Sequence, residues 1–198
     1  YFRNNALHLL LMPSLLACAF LNNAAVSRGD LQRLAGRVYP FVTDEYFLRW
    51  TVAELPQVAD HLLEPLLNPG GATRPVAGTE WRRPSAESPE AVQLSVLARA
   101  TVPILERYYL VLSLLLKAGS GRLTQDALER QCQLMAQRMS MLYELNSPEF
   151  FERAQFGNFI DLAISRGVLT REPDGRLGYE PAMLEALGRR GPDSAGMA

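Results

Sequence analysis

Sixteen consecutive residues near the start of the chain, Ala6 to Leu21, carry no formal charge. As one α-helix this run would span about 24 Å at 1.5 Å per residue. The hydrocarbon core of a bilayer is about 30 Å thick and takes about 20 apolar residues to cross. Pro13 lies inside the run and is expected to kink it, because proline has no N–H to give to the helix. The segment from Asn4 to Asn23 therefore reads as a helix buried against a neighbouring domain rather than a span, with a shallow membrane contact as the alternative. Tyr1 stands where an initiating Met would, so the chain is expected to begin inside a longer protein.

Hydrophobic residues make up 48% of the 198, enough to build a core in one or two units. The formal net charge is −1, which gives no global attraction to nucleic acid. Cys18 and Cys132 sit far apart in apolar, helix-like surroundings and read as buried free thiols of a reducing compartment. No Cys/His spacing suits zinc. No charged cluster precedes the apolar run as it would in a secretory signal.

Local signals divide the chain. Ser27-Arg28-Gly29-Asp30 has the form of a capping box, with Asp where Glu or Gln is commoner. The helix it opens carries Leu31, Leu34 and Val38 on one face, and Pro40 is expected to interrupt it. Thr51-Val52-Ala53-Glu54 is a full Thr-x-x-Glu box ahead of an apolar face of Leu55, Val58, Ala59, Leu62, Leu63 and Leu66. Pro69 to Ser88 reads as a loop, with a short strand expected at Thr79 to Arg82. Ser88-Pro89-Glu90 gives an N-cap, a proline at the first helical position and an acid in the first turn. The long helix behind it should reach Lys117, with a kink at Pro103 and an all-apolar stretch from Tyr108 to Leu116. Gly119-Ser120-Gly121 breaks it, Thr124 caps the next helix and Ser147-Pro148-Glu149 the one after. Pro173-Asp174-Gly175, between Val168-Leu169-Thr170 and Arg176 to Tyr179, reads as a β-hairpin turn.

An internal repeat at an offset of 97 pairs Ser27 with Thr124, Leu31 with Leu128, Arg33 with Arg130 and Leu63 with Ile160. The expected fold class is therefore mainly α: a helical domain with short β-hairpins, arranged as two winged-helix-like units joined by a long core helix. The expected boundaries are a first helix at 1–26, a helical unit at 27–88 with the loop 69–88, the core helix at 89–118, a second unit with its hairpin at 119–188 and a tail at 189–198.

Several stretches carry a family resemblance when taken in order. They are Arg3, Asn4, His8 and Pro13 in the opening helix; Val26-Ser27-Arg28; Tyr39-Pro40; and Glu45-Tyr46-Phe47-Leu48-Arg49-Trp50. Further on come Glu54-Leu55-Pro56, Ala136-Gln137-Arg138-Met139-Ser140 and Ser147-Pro148-Glu149-Phe150-Phe151. In this order the chain resembles the C-terminal part of bacterial glycerol-3-phosphate acyltransferases. The resemblance fades from Pro69 to Ser88 and beyond Leu187. It implies part of a membrane-associated enzyme of phospholipid biosynthesis that moves a fatty acyl group onto sn-glycerol 3-phosphate. It implies acyl-coenzyme A or acyl-acyl carrier protein as co-substrate and no other cofactor. The implied partners are the upstream catalytic domain, a membrane surface and acyl carrier protein, with no nucleic acid. The implied location is the cytoplasmic face of the bacterial inner membrane, held peripherally or monotopically.

The chemistry of that family rests on a His-x4-Asp pair, in which His is the general base on the glycerol hydroxyl and Asp orients it. Here Pro13 stands five residues after His8, and Leu66 five after His61. No catalytic residue is therefore expected in this chain, and the chain alone is expected to be inactive. Arg3 is the best candidate for binding the substrate phosphate, since its planar fork of donors suits a dianion and its expected place is a helix N-terminus. Asn4 beside it is a phosphate-site or capping candidate. His8 and His61 read as a core and a solvated histidine. The pairs Arg82-Arg83 and Arg189-Arg190 read as solvated loop residues, and Phe150, Phe151, Phe156 and Phe159 as a core stripe. The alternatives to an enzyme segment are a tandem winged-helix DNA-binding protein and a non-catalytic interaction module. Few basic residues in either candidate recognition helix argue against DNA.

Overall fold

The computed structural model describes residues 2–67, 80–143 and 152–182, with side chains described within 9–67, 80–141 and 152–182. The described residues fall into two units, those within 1–102 and those within 103–190. The division falls inside one long helix, between Val102 and Pro103. The described residues are mainly helical, with two small antiparallel sheets.

In the first unit, helix α1 is Phe2–Cys18. The helix ends at Cys18, short of the expected Asn23, and from Leu11 to Phe20 the chain is buried almost all round, with Leu11, Met12, Ala17 and Phe20 fully enclosed. Strand β1, Ala25–Ser27, follows and leads directly into α2, Arg28–Tyr46. The expected cap is present: the Asp30 N–H donates to Ser27 Oγ at 3.0 Å, and the Ser27 hydroxyl donates to Asp30 Oδ2 at 2.7 Å. Pro40 lies inside α2 and does not interrupt it, contrary to expectation. Tyr39, Phe41 and Val42, on either side of that proline, are buried, and their burial offsets the roughly 3 kcal/mol that an internal proline costs.

A short 3-10 turn, Val52–Glu54, then α3, Leu55–Leu67, complete the helical part. The Thr51 N–H and hydroxyl both donate to Glu54 Oε2, at 2.7 and 2.8 Å, as the box foretells. These bonds hold the Glu54 carboxyl below its usual pKa. Strand β2, Glu80–Arg82, lies where a strand was expected. It pairs antiparallel with β1, Val26 opposite Trp81. β1 itself was not foreseen.

Helix α4, Pro89–Ala118, runs unbroken through Pro103. Its start is capped by Ser88, whose Oγ accepts from the Ala91 N–H at 3.2 Å. The stretch from Tyr108 to Leu116 is not enclosed on all sides. Tyr108, Val111, Leu112 and Leu115 are buried, whereas Tyr109 is half exposed.

In the second unit Thr124 caps α5, Gln125–Tyr143, accepting from the Ala127 N–H at 3.3 Å. Helix α6 is Arg153–Ser165. The expected Ser147-Pro148-Glu149 cap lies outside the described residues. Strands β3, Leu169–Arg171, and β4, Leu177–Tyr179, form the foreseen hairpin. Its turn uses Gly175 at φ 81, a conformation that only glycine adopts cheaply. Thr124, ahead of α5, forms an isolated antiparallel bridge with Arg176, just before β4. Phe156, Phe159 and Ile160 of α6 are core residues, and Phe159 stacks on Tyr108 with centroids 4.1 Å apart.

The repeat is visible in the element bounds. Moving α2, Arg28–Tyr46, along by 97 residues gives α5, Gln125–Tyr143. The same step carries β2, Glu80–Arg82, onto β4, Leu177–Tyr179. Ser27, just before α2, pairs with Glu80 of β2, and Thr124, just before α5, bridges Arg176, just before β4.

Candidate functional site

Arg3 and Asn4 belong to the first turn of α1, a turn with no acidic residue. Backbone N–H groups there have no intrahelical partner and favour an anion. Their side chains, and that of His8, lie outside the described residues. His61 is exposed on α3, next to Asp60, whose carboxylate pairs with Arg28 at 3.2 Å. Neither histidine has an Asp five positions on, so a His-x4-Asp pair is absent from the chain as a matter of sequence.

Many of the other arginines, which could also hold an anion, already have protein partners. Arg28 lies 5.4 Å from the Trp81 ring centroid as well as beside Asp60. Arg83 is exposed in the loop after β2, as its sequence suggests, but it is anchored. Its Nη1 donates to the carbonyls of Phe20 and Leu21, at 3.3 and 3.2 Å, and ties down the turn that follows α1. No local pattern signals this, because the acceptors lie some sixty positions earlier. Arg82, its neighbour, stays exposed on β2.

In the second unit Arg153 donates through Nε to Glu129 Oε2 at 3.0 Å and also pairs with Asp126. Asp126 in turn holds Arg130. Arg171 bonds Gln125 and pairs with Asp161 at 3.3 Å. The outward side of α6 thus shows carboxylates and satisfied guanidinium groups. Arg107, fully enclosed in α4, donates through Nη1 to Gln155 Oε1 at 3.2 Å, and its guanidinium lies 5.5 Å from the Tyr108 ring centroid. The only sign of it in the sequence is a charge inside an apolar run. Arg189 and Arg190 lie outside the described residues.

The two cysteines are free, and burial pushes both thiols up to about 12, helped at Cys132 by the Glu129 charge. The Cys18 thiol donates to the Ala98 carbonyl at 3.3 Å. Neither is a poised nucleophile, since the thiolate is the reactive form. Among the described residues no group of three or more His, Cys, Asp or Glu side chains is placed to hold a metal ion. Among them, too, no helix is long and apolar enough to cross a membrane.

The fold and its side chains thus define a mainly helical region without a catalytic constellation among its described residues. Residues 1–172 match the family model for the glycerol-3-phosphate acyltransferase C-terminal region. The chain is 40% identical over 185 residues to a glycerol-3-phosphate acyltransferase of Pseudomonas entomophila strain L48. It is 37% identical to that of Ectopseudomonas mendocina strain ymp and 38% identical to that of Pseudomonas aeruginosa strain UCBPP-PA14. Each alignment takes in 93% of this chain and 22% of the relative, so the chain spans about a fifth of the length of the curated relatives it matches. No solved structure matches. The chain belongs to the glycerol-3-phosphate acyltransferase C-terminal region family.

Proposed function

We propose that the chain is the non-catalytic C-terminal region of a glycerol-3-phosphate 1-O-acyltransferase, supporting a catalytic domain that lies upstream. The whole protein would transfer a fatty acyl group to sn-glycerol 3-phosphate in the first step of phospholipid synthesis, taking it from acyl-coenzyme A or acyl-acyl carrier protein. The observation that carries this reading is the family match over most of the chain in the absence of a His-x4-Asp pair. Acyl transfer to a hydroxyl needs a base within hydrogen-bond reach, and that base would come from outside residues 1–198.

In this reading the segment 1–26 packs on the catalytic domain. Leu9 and Leu10, exposed on α1 at the start of its apolar stretch, support such a contact. Arg3, with Asn4, would then lie close enough to that domain to hold the substrate phosphate. The whole enzyme would work at the cytoplasmic face of the inner membrane. The charge pattern of α3 and α6 weighs against a role in binding DNA, because their arginines are few or already paired.

The experiment is to read the parent open reading frame upstream of Tyr1 and to assay the full-length protein for acylation of sn-glycerol 3-phosphate. A His-x4-Asp motif together with turnover supports the proposal. A parent without that motif and without turnover refutes it.

A further inference from the structure

Phe47 is 90% exposed, the largest exposure of any big hydrophobic side chain among the described residues. It is also the one described non-glycine residue with positive φ, at φ 53 and ψ 48. That left-handed conformation is strained for a bulky side chain and suits Gly or Asn far better. The position is the C-cap of α2, where Gly is the usual choice. A Phe here gains nothing from packing within its own unit. An outlier of this kind points to a role for the side chain itself.

The loop around it is held firmly. The Phe47 N–H donates to the Thr43 carbonyl, and so does the Leu48 N–H at 3.3 Å. The Thr43 hydroxyl donates back to the Leu48 carbonyl at 3.0 Å. Tyr39, fully buried, donates from its hydroxyl to the Trp50 carbonyl at 2.6 Å. Arg49 sits over the Trp50 ring at 4.6 Å, and Val52 is half exposed close behind. An aromatic knob is thus presented on a fixed base, with its ordering cost already met by the fold.

The charges nearby narrow what can receive it. By sequence, residues 44–54 carry three acidic side chains, Asp44, Glu45 and Glu54, and one basic one, Arg49. An anionic lipid surface or an acidic protein would be repelled by this set, whereas a basic rim would be attracted. The relatives extend far beyond the matched region, which is only 22% of their length. A segment tethered to the rest of its own polypeptide meets it at a high effective concentration, so a single anchoring side chain suffices.

We infer that Phe47 is a docking knob that seats in an apolar, basic-rimmed pocket on the preceding part of the same polypeptide. The choice of partner rests on reading the chain as one region of a larger acyltransferase; the knob does not.

The test uses the full-length protein in its native membranes, with the photo-crosslinker p-benzoylphenylalanine in place of Phe47. The expected product is an intramolecular cross-link, located by mass spectrometry in the region before Tyr1. Cross-links to lipid or to a second copy, or no cross-link, overturn the inference. Phe47→Gly in the same protein gives an independent sign. A free aromatic in this conformation would be improved upon by Gly, and the melting temperature would rise. A docked one leaves a pocket empty, so the melting temperature falls and docking weakens about ten- to a hundredfold. A rise overturns the inference. If acylation is intact but the cross-link goes elsewhere, only the knob fails. If the cross-link is as expected and acylation is absent, only the functional reading fails.

Discussion

Glu129 on α5 accepts a hydrogen bond from Arg153 on α6 at 3.0 Å, and Gly157, one turn further along α6, leaves the space for it. A Cβ on Gly157 would lie 2.9 Å from Glu129 Oε1. Glu129 Oε1 also accepts from Gln125 Nε2 at 3.1 Å, so the carboxylate cannot swing aside without losing a partner. Alanine in a helix interior is ordinarily better than glycine by about 1 kcal/mol. Here the lost charge-assisted bonds outweigh that gain, and Gly157→Ala is expected to destabilise by about 1 kcal/mol. In a Glu129→Ala background the same substitution should become stabilising by about 1 kcal/mol. Chemical denaturation of the four proteins of this double-mutant cycle measures both signs.

The thiols give a pH prediction. Cys18 and Cys132 are raised from 9.0 to about 12 in the folded chain by burial. The neutral thiol is therefore favoured by folding. That contribution is complete below about pH 9 and is lost as pH rises towards 12, because the unfolded chain gives up these protons first. Stability should fall across this window, and Cys18→Ala with Cys132→Ala should flatten the fall. At pH 8 neither thiol should react with Ellman's reagent until denaturant is added. Rapid reaction of the native protein would show that the thiols are accessible.

Much of the first and second units is legible because their signals are local. The Ser27, Ser88 and Thr124 caps mark helix starts correctly, and Pro173-Asp174-Gly175 marks the hairpin. The repeat places α5 from α2 to the residue. What was misread depends on distant contacts. β1 is three residues long with no alternation to announce it, and its partner lies over fifty positions away. Pro40 signals a break locally, yet α2 runs through it, because the burial that holds the helix together there is tertiary. The anchoring of Arg83 and the left-handed Phe47 are invisible to composition for the same reason.

DNA binding is expected to be absent. Duplex affinity comes largely from neutralising phosphates. The exposed positions of α6 include Asn158 and Asp161, and its Arg153 is occupied by Glu129 and Asp126. A gel-shift titration of the chain with duplex DNA at physiological salt should give no shift at micromolar protein. A salt-sensitive shift below one micromolar would revive the tandem winged-helix reader.

In the full-length protein Arg3→Ala should raise the Michaelis constant for sn-glycerol 3-phosphate and leave that for the acyl donor nearly unchanged. Losing a charge-assisted hydrogen bond costs about 1.5–3 kcal/mol, or roughly ten- to a hundredfold. Arg3→Lys should restore part of it, since the ammonium keeps the charge and loses the fork. If Arg3 instead bridges two domains, both constants and the melting temperature should suffer together. Steady-state kinetics with each substrate varied, plus a melting curve, separate these outcomes.

The most direct measurement compares acylation of radiolabelled sn-glycerol 3-phosphate by the full-length protein and by purified residues 1–198, each with acyl-coenzyme A and with acyl-acyl carrier protein. Turnover is expected from the full-length protein with at least one donor, and from residues 1–198 no more than a heat-killed control gives. Turnover by residues 1–198 alone, or none by an intact, folded full-length protein with either donor, would contradict the assignment of this chain as the non-catalytic region of an acyltransferase.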